Sequence, residues 1–161
     1  MKLHRMRVVL AATVLLGLGA ASAAAAADDV AVIVNKSNPV QSMTMLQLRN
    51  IVLGQQPKWP GGKKIAVLML TPGKPERDGT LRIVCGMNET DFSLHFLRAT
   101  FGADGGDPPK SIGSGTQLRA LVAGTANAVG FIKTSDLDAS VKIVMIDGSG
   151  PGQPTYKLKL K

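Results

Sequence analysis

The sequence predicts an α/β domain, a mostly parallel sheet flanked by helices. Three observations predict it. Short, continuous apolar runs recur along the chain: Val30–Val34 (VAVIV), Ile65–Leu70 (IAVLML), Ala128–Ile132 (AVGFI) and Val141–Ile146 (VKIVMI). Runs rich in β-branched residues read as strands buried on both faces. Between them lie amphipathic stretches that carry capping signals, and this alternation of strand and helix is the pattern of a parallel α/β sheet.

The elements follow in order. Val30–Val34 is the first strand, and Asn38-Pro39 breaks it. Thr44 is an N-cap residue, and Gln47 three positions on completes a capping box. Met45, Leu48, Ile51 and Val52 then share one helical face, and Gly54 supplies the stop. A loop follows, with Pro57, Trp59, Pro60 and the pair Gly61-Gly62. Ile65–Leu70 is the second strand, closed by Thr71-Pro72-Gly73. A helix from near Pro75 to Val84 comes next, ended by Gly86. Gly79 within it disfavours helix by about 1 kcal/mol relative to Ala, which points to a close backbone approach or a later helix start. Asn88 caps the helix Glu89–Thr100, whose inward stripe is expected to be Phe92, Phe96 and Leu97.

The stretch from Gly102 to Gly113 reads as a loop of Gly, Pro and Asp. Ser114 and Gln117 open a short helix with Leu118, Leu121 and Val122 facing inward, stopped by Gly124. Ala128–Ile132 is the third strand, Ser135-Asp136-Leu137 a short turn or single-turn helix, and Val141–Ile146 the fourth strand. The tail Thr155–Lys161 (TYKLKLK) alternates like an exposed edge strand whose lysines block further pairing.

The first 27 residues read as a signal peptide rather than as part of the fold. Lys2, Arg5 and Arg7 precede the apolar run Val8–Leu18, and Ala21-Ser22-Ala23 fits a small-x-small cleavage site. The alternative is an uncleaved anchor, although the second half of the apolar stretch is mostly alanine. Residues 28–161 then form a single domain. Loss of the three basic residues takes Lys plus Arg from 19 to 16 against 11 acids, so the formal charge falls from +8 to +5. Such an excess suits solubility or an anionic partner. Nucleic acid is not expected, because the few aromatics do not interleave with basic residues as stacking platforms. The lone Cys85 cannot form an internal disulfide and sits on an apolar face, the place of a small buried hydrophobe.

Enzyme signatures are mostly absent. His95, mid-helix, is the one histidine outside the signal, and no His/Cys cluster has metal-ligand spacing. Asp104 and Asp107 lack the alternating oxygens of a calcium loop. No phosphate-cradling Gly-Lys loop and no GxGxxG occur. Two helix starts carry the parts of an anion site: Glu76-Arg77-Asp78-Gly79-Thr80 and Ser114-Gly115-Thr116. Helix N-termini offer unpaired N–H groups, and an Arg fork with a hydroxyl adds convergent donors. The plainer reading is capping for Ser114 and a surface ion pair for Arg77.

Several segments together resemble a known family. Val34–Val40 (VNKSNPV), the helix Met45–Gly54, Lys58-Trp59-Pro60, Pro75-Glu76-Arg77, Phe101-Gly102 with Pro108-Pro109, and Ala128-Val129-Gly130-Phe131 resemble the phosphate-binding proteins of ABC transporters. Their order is similar to that of the short, single-lobe-sized members. The resemblance implies a lobe of the type II periplasmic-binding fold, a PBP domain. Full-length members hold phosphate between two lobes, and this chain has room for about one. Their motif of Arg followed by Asp-Gly-Ser-Gly-Thr occurs here as Arg77-Asp78-Gly79-Thr80, without the serine.

The resemblance implies an exported, periplasmic or secreted substrate-binding protein that takes phosphate or a similar oxyanion non-covalently for ABC-type uptake or sensing. Its partners would be an ABC permease or a sensor protein, with no cofactor and no enzymatic step. The expected ligand residues are Thr71, Arg77, Gly79 and Thr80. Arg77 would supply charge, Thr80 a hydroxyl and Gly79 close backbone approach. Thr71 would face the same crevice, because α/β ligands sit beyond the carboxyl ends of strands. The alternative is a periplasmic protein-interaction module with no small ligand.

Overall fold

Strand β1 (Val30–Asn35) is buried on both faces, as its unbroken apolar run requires. The computed structural model describes residues 29–102 and 106–160, so the expected signal segment lies outside the described residues. After β1 come β2 (Ser42–Met43), α1 (Met45–Val52), β3 (Ala66–Leu70) and α2 (Pro75–Thr80). A π-helical turn, Leu81–Cys85, continues α2 directly. Then follow α3 (Glu89–Thr100), β4 (Lys110–Ile112), α4 (Gly115–Gly124), β5 (Ala128–Lys133), β6 (Val141–Ile143) and β7 (Met145–Ile146).

Five strands form one sheet in the order β4-β3-β5-β1-β6. β3 pairs in parallel with β4 and β5, whereas β1 pairs antiparallel with β5 and β6. Strand β1 therefore runs against the other four, and the sheet is mixed. Its insertion between β5 and β6 leaves the carboxyl ends of β3, β4 and β5 together on one edge.

The period of two along β1 divides the core. Val30, Val32 and Val34 pack with α1, the π turn, α3, Tyr156 and Leu158. Ala31 and Ile33 pack on the opposite face with Leu118 and Val122 of α4. Gly130 on β5 lets α4 come close: an added Cβ would collide with Leu118 and crowd Val122.

The local signals are realised in detail. Thr44 and Gln47 form the reciprocal capping box of α1. Asn88 caps α3 by accepting from the Asp91 amide at 2.9 Å. Gly54 and Gly86 take φ of 73° and 67°, the left-handed conformation that a glycine stop supplies. Trp59 is buried and its Nε1–H donates to the Asn127 carbonyl at 3.0 Å, tying its loop to the start of β5.

Several expectations are corrected. Leu97 and Leu121 point outward, because the buried stripes of α3 and α4 are narrower than drawn and are filled by Phe92 and Phe96, and by Leu118 and Val122. The Gly/Pro/Asp segment contains β4, which β3 recruits by parallel pairing. The fourth strand is two short ones. The buried Val144 separates β6 from β7, and β7 pairs with β2 instead of continuing the main sheet. The tail is not an exposed edge. Tyr156 and Leu158 are buried, and the Tyr156 hydroxyl donates to the Val30 carbonyl at 2.6 Å. Cys85 is buried as expected, and burial pushes its thiol up to about 11.

Candidate functional site

Ligands of α/β proteins sit beyond the carboxyl ends of the strands. A crevice of about 330 Å3 lies there. Leu70 ends β3 on its floor, Gly113–Thr116 bring the start of α4, and Lys74, Glu76, Lys133 and Asp136 give it charge. A larger groove of about 580 Å3 runs past Leu81, Arg82, Gly86 and Met87. It is lined by the π turn and by the start of α3, with the acids Asp78 and Glu89 among its residues, and it takes in no strand end, so the crevice is the better candidate.

Helix α4 begins at Ser114, whose side chain accepts from the Gln117 amide at 3.2 Å. That bond satisfies one orphan N–H of the first turn. Gly115 follows because Asp136 is packed against it: an added Cβ would collide with the Asp136 carboxylate. A carboxylate of the chain itself thus stands beside the positive end of α4. Arg119 holds this segment from within α4, donating to the Asp136 carbonyl and pairing with Asp138 at 3.0 Å.

Across the crevice, Glu76 is buried at the start of α2. Lys133 Nζ lies 3.4 Å from Glu76 Oε1. Glu76 Oε2 is buried without a hydrogen-bond partner. Lys74 is exposed at the mouth. The lining therefore carries two lysines, two carboxylates and the starts of both α2 and α4.

The four residues expected to bind ligand are neighbours in the chain, but three of them turn inward. Arg77 is 6% exposed. Its Nε and Nη2 donate to the two Glu89 oxygens at 2.6 and 2.8 Å. Nη1 donates to the Leu70 carbonyl at 3.0 Å and lies 3.4 Å from Ser111 Oγ. The guanidinium also stands 5.6 Å from the Phe92 ring centroid. Its fork is thus filled by the chain, linking α3 to the ends of β3 and β4.

Thr80 is fully buried, and its hydroxyl donates to the Glu76 carbonyl at 2.7 Å. Gly79 is a place of close approach, but what approaches is Leu160: a Cβ there would lie 2.5 Å from Leu160 Cδ2. Thr71 is half-buried just past β3, and its amide donates to the Ile112 carbonyl at 3.0 Å. The crevice instead gathers Glu76, from the first of the two helix starts, with Lys74, Lys133 and Asp136, which the sequence reading did not offer as site residues. Glu76 and Ser114-Gly115-Thr116 carried a local signal, as parts of the two helix starts. The charged residues come from separate segments that the sheet order brings together.

Elsewhere, His95 Nε2 lies 3.0 Å from the Leu53 carbonyl and its ring meets Phe96 edge-on, the contacts of a half-buried helix residue. Among the described residues no group of acids, His or Cys is placed to hold a metal ion. Among them, too, no helix is long and apolar enough to cross a membrane.

No protein-family model matches the sequence, and no curated protein does. Solved structures do. A phosphate ABC transporter substrate-binding protein from Clostridium perfringens, solved with bound phosphate, is 26% identical with a TM-score of 0.63. The match covers 77% of this chain and 47% of that one. An ABC-type phosphate transport receptor from Vibrio cholerae is also 26% identical, with a TM-score of 0.63 over 77% of this chain and 48% of its own. PstS from Borrelia burgdorferi shares 12% identity and the fold alone, with a TM-score of 0.66 over 83% of this chain and 55% of its own. The chain spans about half the length of these structures. It is structurally similar to one lobe of the phosphate ABC transporter substrate-binding proteins, and its mixed α/β fold is that of a type II periplasmic-binding lobe.

Proposed function

We propose that the chain is an exported solute-binding lobe that takes phosphate or a similar oxyanion, non-covalently, for ABC-type uptake or sensing in the periplasm. One observation carries the reading: the start of α4 and two lysines line a single crevice beyond β3, β4 and β5. The N–H groups of a helix start attract an anion through their partial positive charge, and Lys74 and Lys133 add full charges. The similarity to a protein solved with bound phosphate supports the same ligand class.

In this proposal, Arg77, Gly79 and Thr80 serve the site from beneath. Arg77 fixes the Leu70 carbonyl that ends β3, and Thr80 and Gly79 hold the α2 segment that carries Lys74 and Glu76. Thr71 stands at the strand end itself. The carboxylates of Glu76 and Asp136 oppose an anion, so a single lobe is expected to bind weakly, with a dissociation constant near 1 mM or about −4 kcal/mol. Isothermal titration tests this. Phosphate should give saturable heat, and Lys74→Ala should weaken binding at least threefold while leaving the melting temperature unchanged. No heat at about ten times that concentration removes the small-ligand reading.

A second reading is a periplasmic protein-interaction module with no small ligand. The internal engagement of Arg77 and Thr80 favours it, because the strongest donors near the strand ends already have partners. Thermal-shift measurements with phosphate, sulfate and molybdate separate the two. A ligand that binds only the native state must raise the melting temperature, and a flat response to all three favours the module.

A further inference from the structure

We propose that the outer face of α3 is a self-association surface, on which α3 of a second copy packs antiparallel about a two-fold axis. Helix α3 buries Phe92 and Phe96 against its own core. Its opposite face carries Leu94, Leu97 and Phe101, exposed to 41%, 55% and 87%. Spacings of three and four residues place them in one stripe, and the exposed Thr90 extends it by a turn. Of the seven exposed large hydrophobic residues among the described ones, three lie on this stripe. A helix with one face in the core and a second apolar stripe outside has surface that water disfavours.

Charge selects the occupant. Asp91 and Arg98 are both exposed, and neither joins an ion pair among the described residues. Seven residues apart, they flank the stripe on the same side, about 10 Å from each other along the axis. A second α3 running the opposite way sets its Arg98 beside Asp91 and its Asp91 beside Arg98. A parallel copy about a two-fold axis would carry the two flanks to opposite sides of the stripe, where Asp91 and Arg98 have no partner in each other. The midpoint of Asp91 and Arg98 falls next to Leu94, about one residue from the centre of the stripe Thr90–Phe101 and at the N-terminal end of its apolar part. A patch with acid and base placed evenly about its own centre is complementary to itself, as a two-fold interface requires.

The interface is small, so a weak and reversible dimer is expected, with a dissociation constant of about 100 µM or tighter. Sedimentation velocity over about 5 to 500 µM protein brackets that value. Leu97→Asp should raise the dissociation constant at least tenfold. Asp91→Arg alone should raise it several-fold, and adding Arg98→Asp should bring it back within threefold of the original, because the swapped charges pair again across the axis. Circular dichroism on each variant separates lost association from lost folding. A monomer at every concentration overturns the proposal. So does a dimer indifferent to Leu97→Asp, which must use another surface. A dimer that the double charge swap does not restore rules out the antiparallel pairing.

Discussion

Two helix starts with similar residues have opposite fates. The segment Glu76–Thr80 offers an arginine, a glycine and a threonine hydroxyl, and Ser114–Thr116 offers two hydroxyls and a glycine. In the first, the donors face the interior: Arg77 closes on Glu89 and the Leu70 carbonyl, and Thr80 turns back on its own helix. In the second, the helix opens onto the crevice, and Asp136 of the chain itself stands beside it. The same donor types hold the lobe together in one place and remain open to a ligand in the other. Where the neighbouring strand ends lie decides which.

Substitutions can break or sharpen this contrast. The largest effect is expected at Arg77. Arg77→Ala leaves the Leu70 carbonyl without its buried donor and the half-buried Glu89 without its partner, and should cost about 3 kcal/mol of stability in denaturant unfolding. A loss below about 1 kcal/mol would show that the network holds nothing together and would return Arg77 to the list of ligand groups.

Gly79→Val comes next, at about 2 kcal/mol, because its side chain enters space filled by Leu160. Full stability would mean that the tail moves aside freely. Ser114→Ala should cost about 1 kcal/mol through the lost cap and should also weaken any phosphate response. Arg77→Ala, corrected for folding, should leave that response nearly intact. The reverse pattern would exchange the roles of the two segments.

The smallest effect concerns Asp147, which joins β7 to α1. Its carboxyl is held below the usual range by the hydrogen bond from the Met45 amide and then by Lys157. A carboxyl lowered in the folded state adds stability above its unfolded value near 3.8 and loses it as pH falls through the lower, folded value. Asp147 is exposed, so solvent screening holds the contribution to a few tenths of a kcal/mol at most. The stability difference between wild type and Asp147→Asn, measured from pH 6 down to about 2, should shrink only below about pH 4. A difference independent of pH would leave the hydrogen-bond geometry, not the charge, as the cause.

Much of the fold was legible from local physics. The capping box at Thr44 and Gln47, the glycine stops at Gly54 and Gly86, and the doubly buried strands depend on neighbours a few residues away. Gly79 was legible as a close approach, but not its partner, because Leu160 lies some eighty positions further on. Strands β2 and β4 were hidden for a similar reason. Two or three residues carry little periodicity, and their pairing comes from β7 and β3. The outward turn of Leu97 was hidden because apolar spacing marks a helical face without saying whether anything covers it.

The sequence by itself determined the class of this protein. Apolar runs with a period of two or 3.6 and explicit caps admit an α/β lobe and little else, because those signals are written over distances the chain spans locally. The tertiary structure alone decided where the charges go. Sheet order placed Glu89 on Arg77, Asp136 on the start of α4, and Lys133 beside Glu76. Such contacts join residues separated in sequence, and whether a donor meets a ligand or its own chain depends on which of them arrives first.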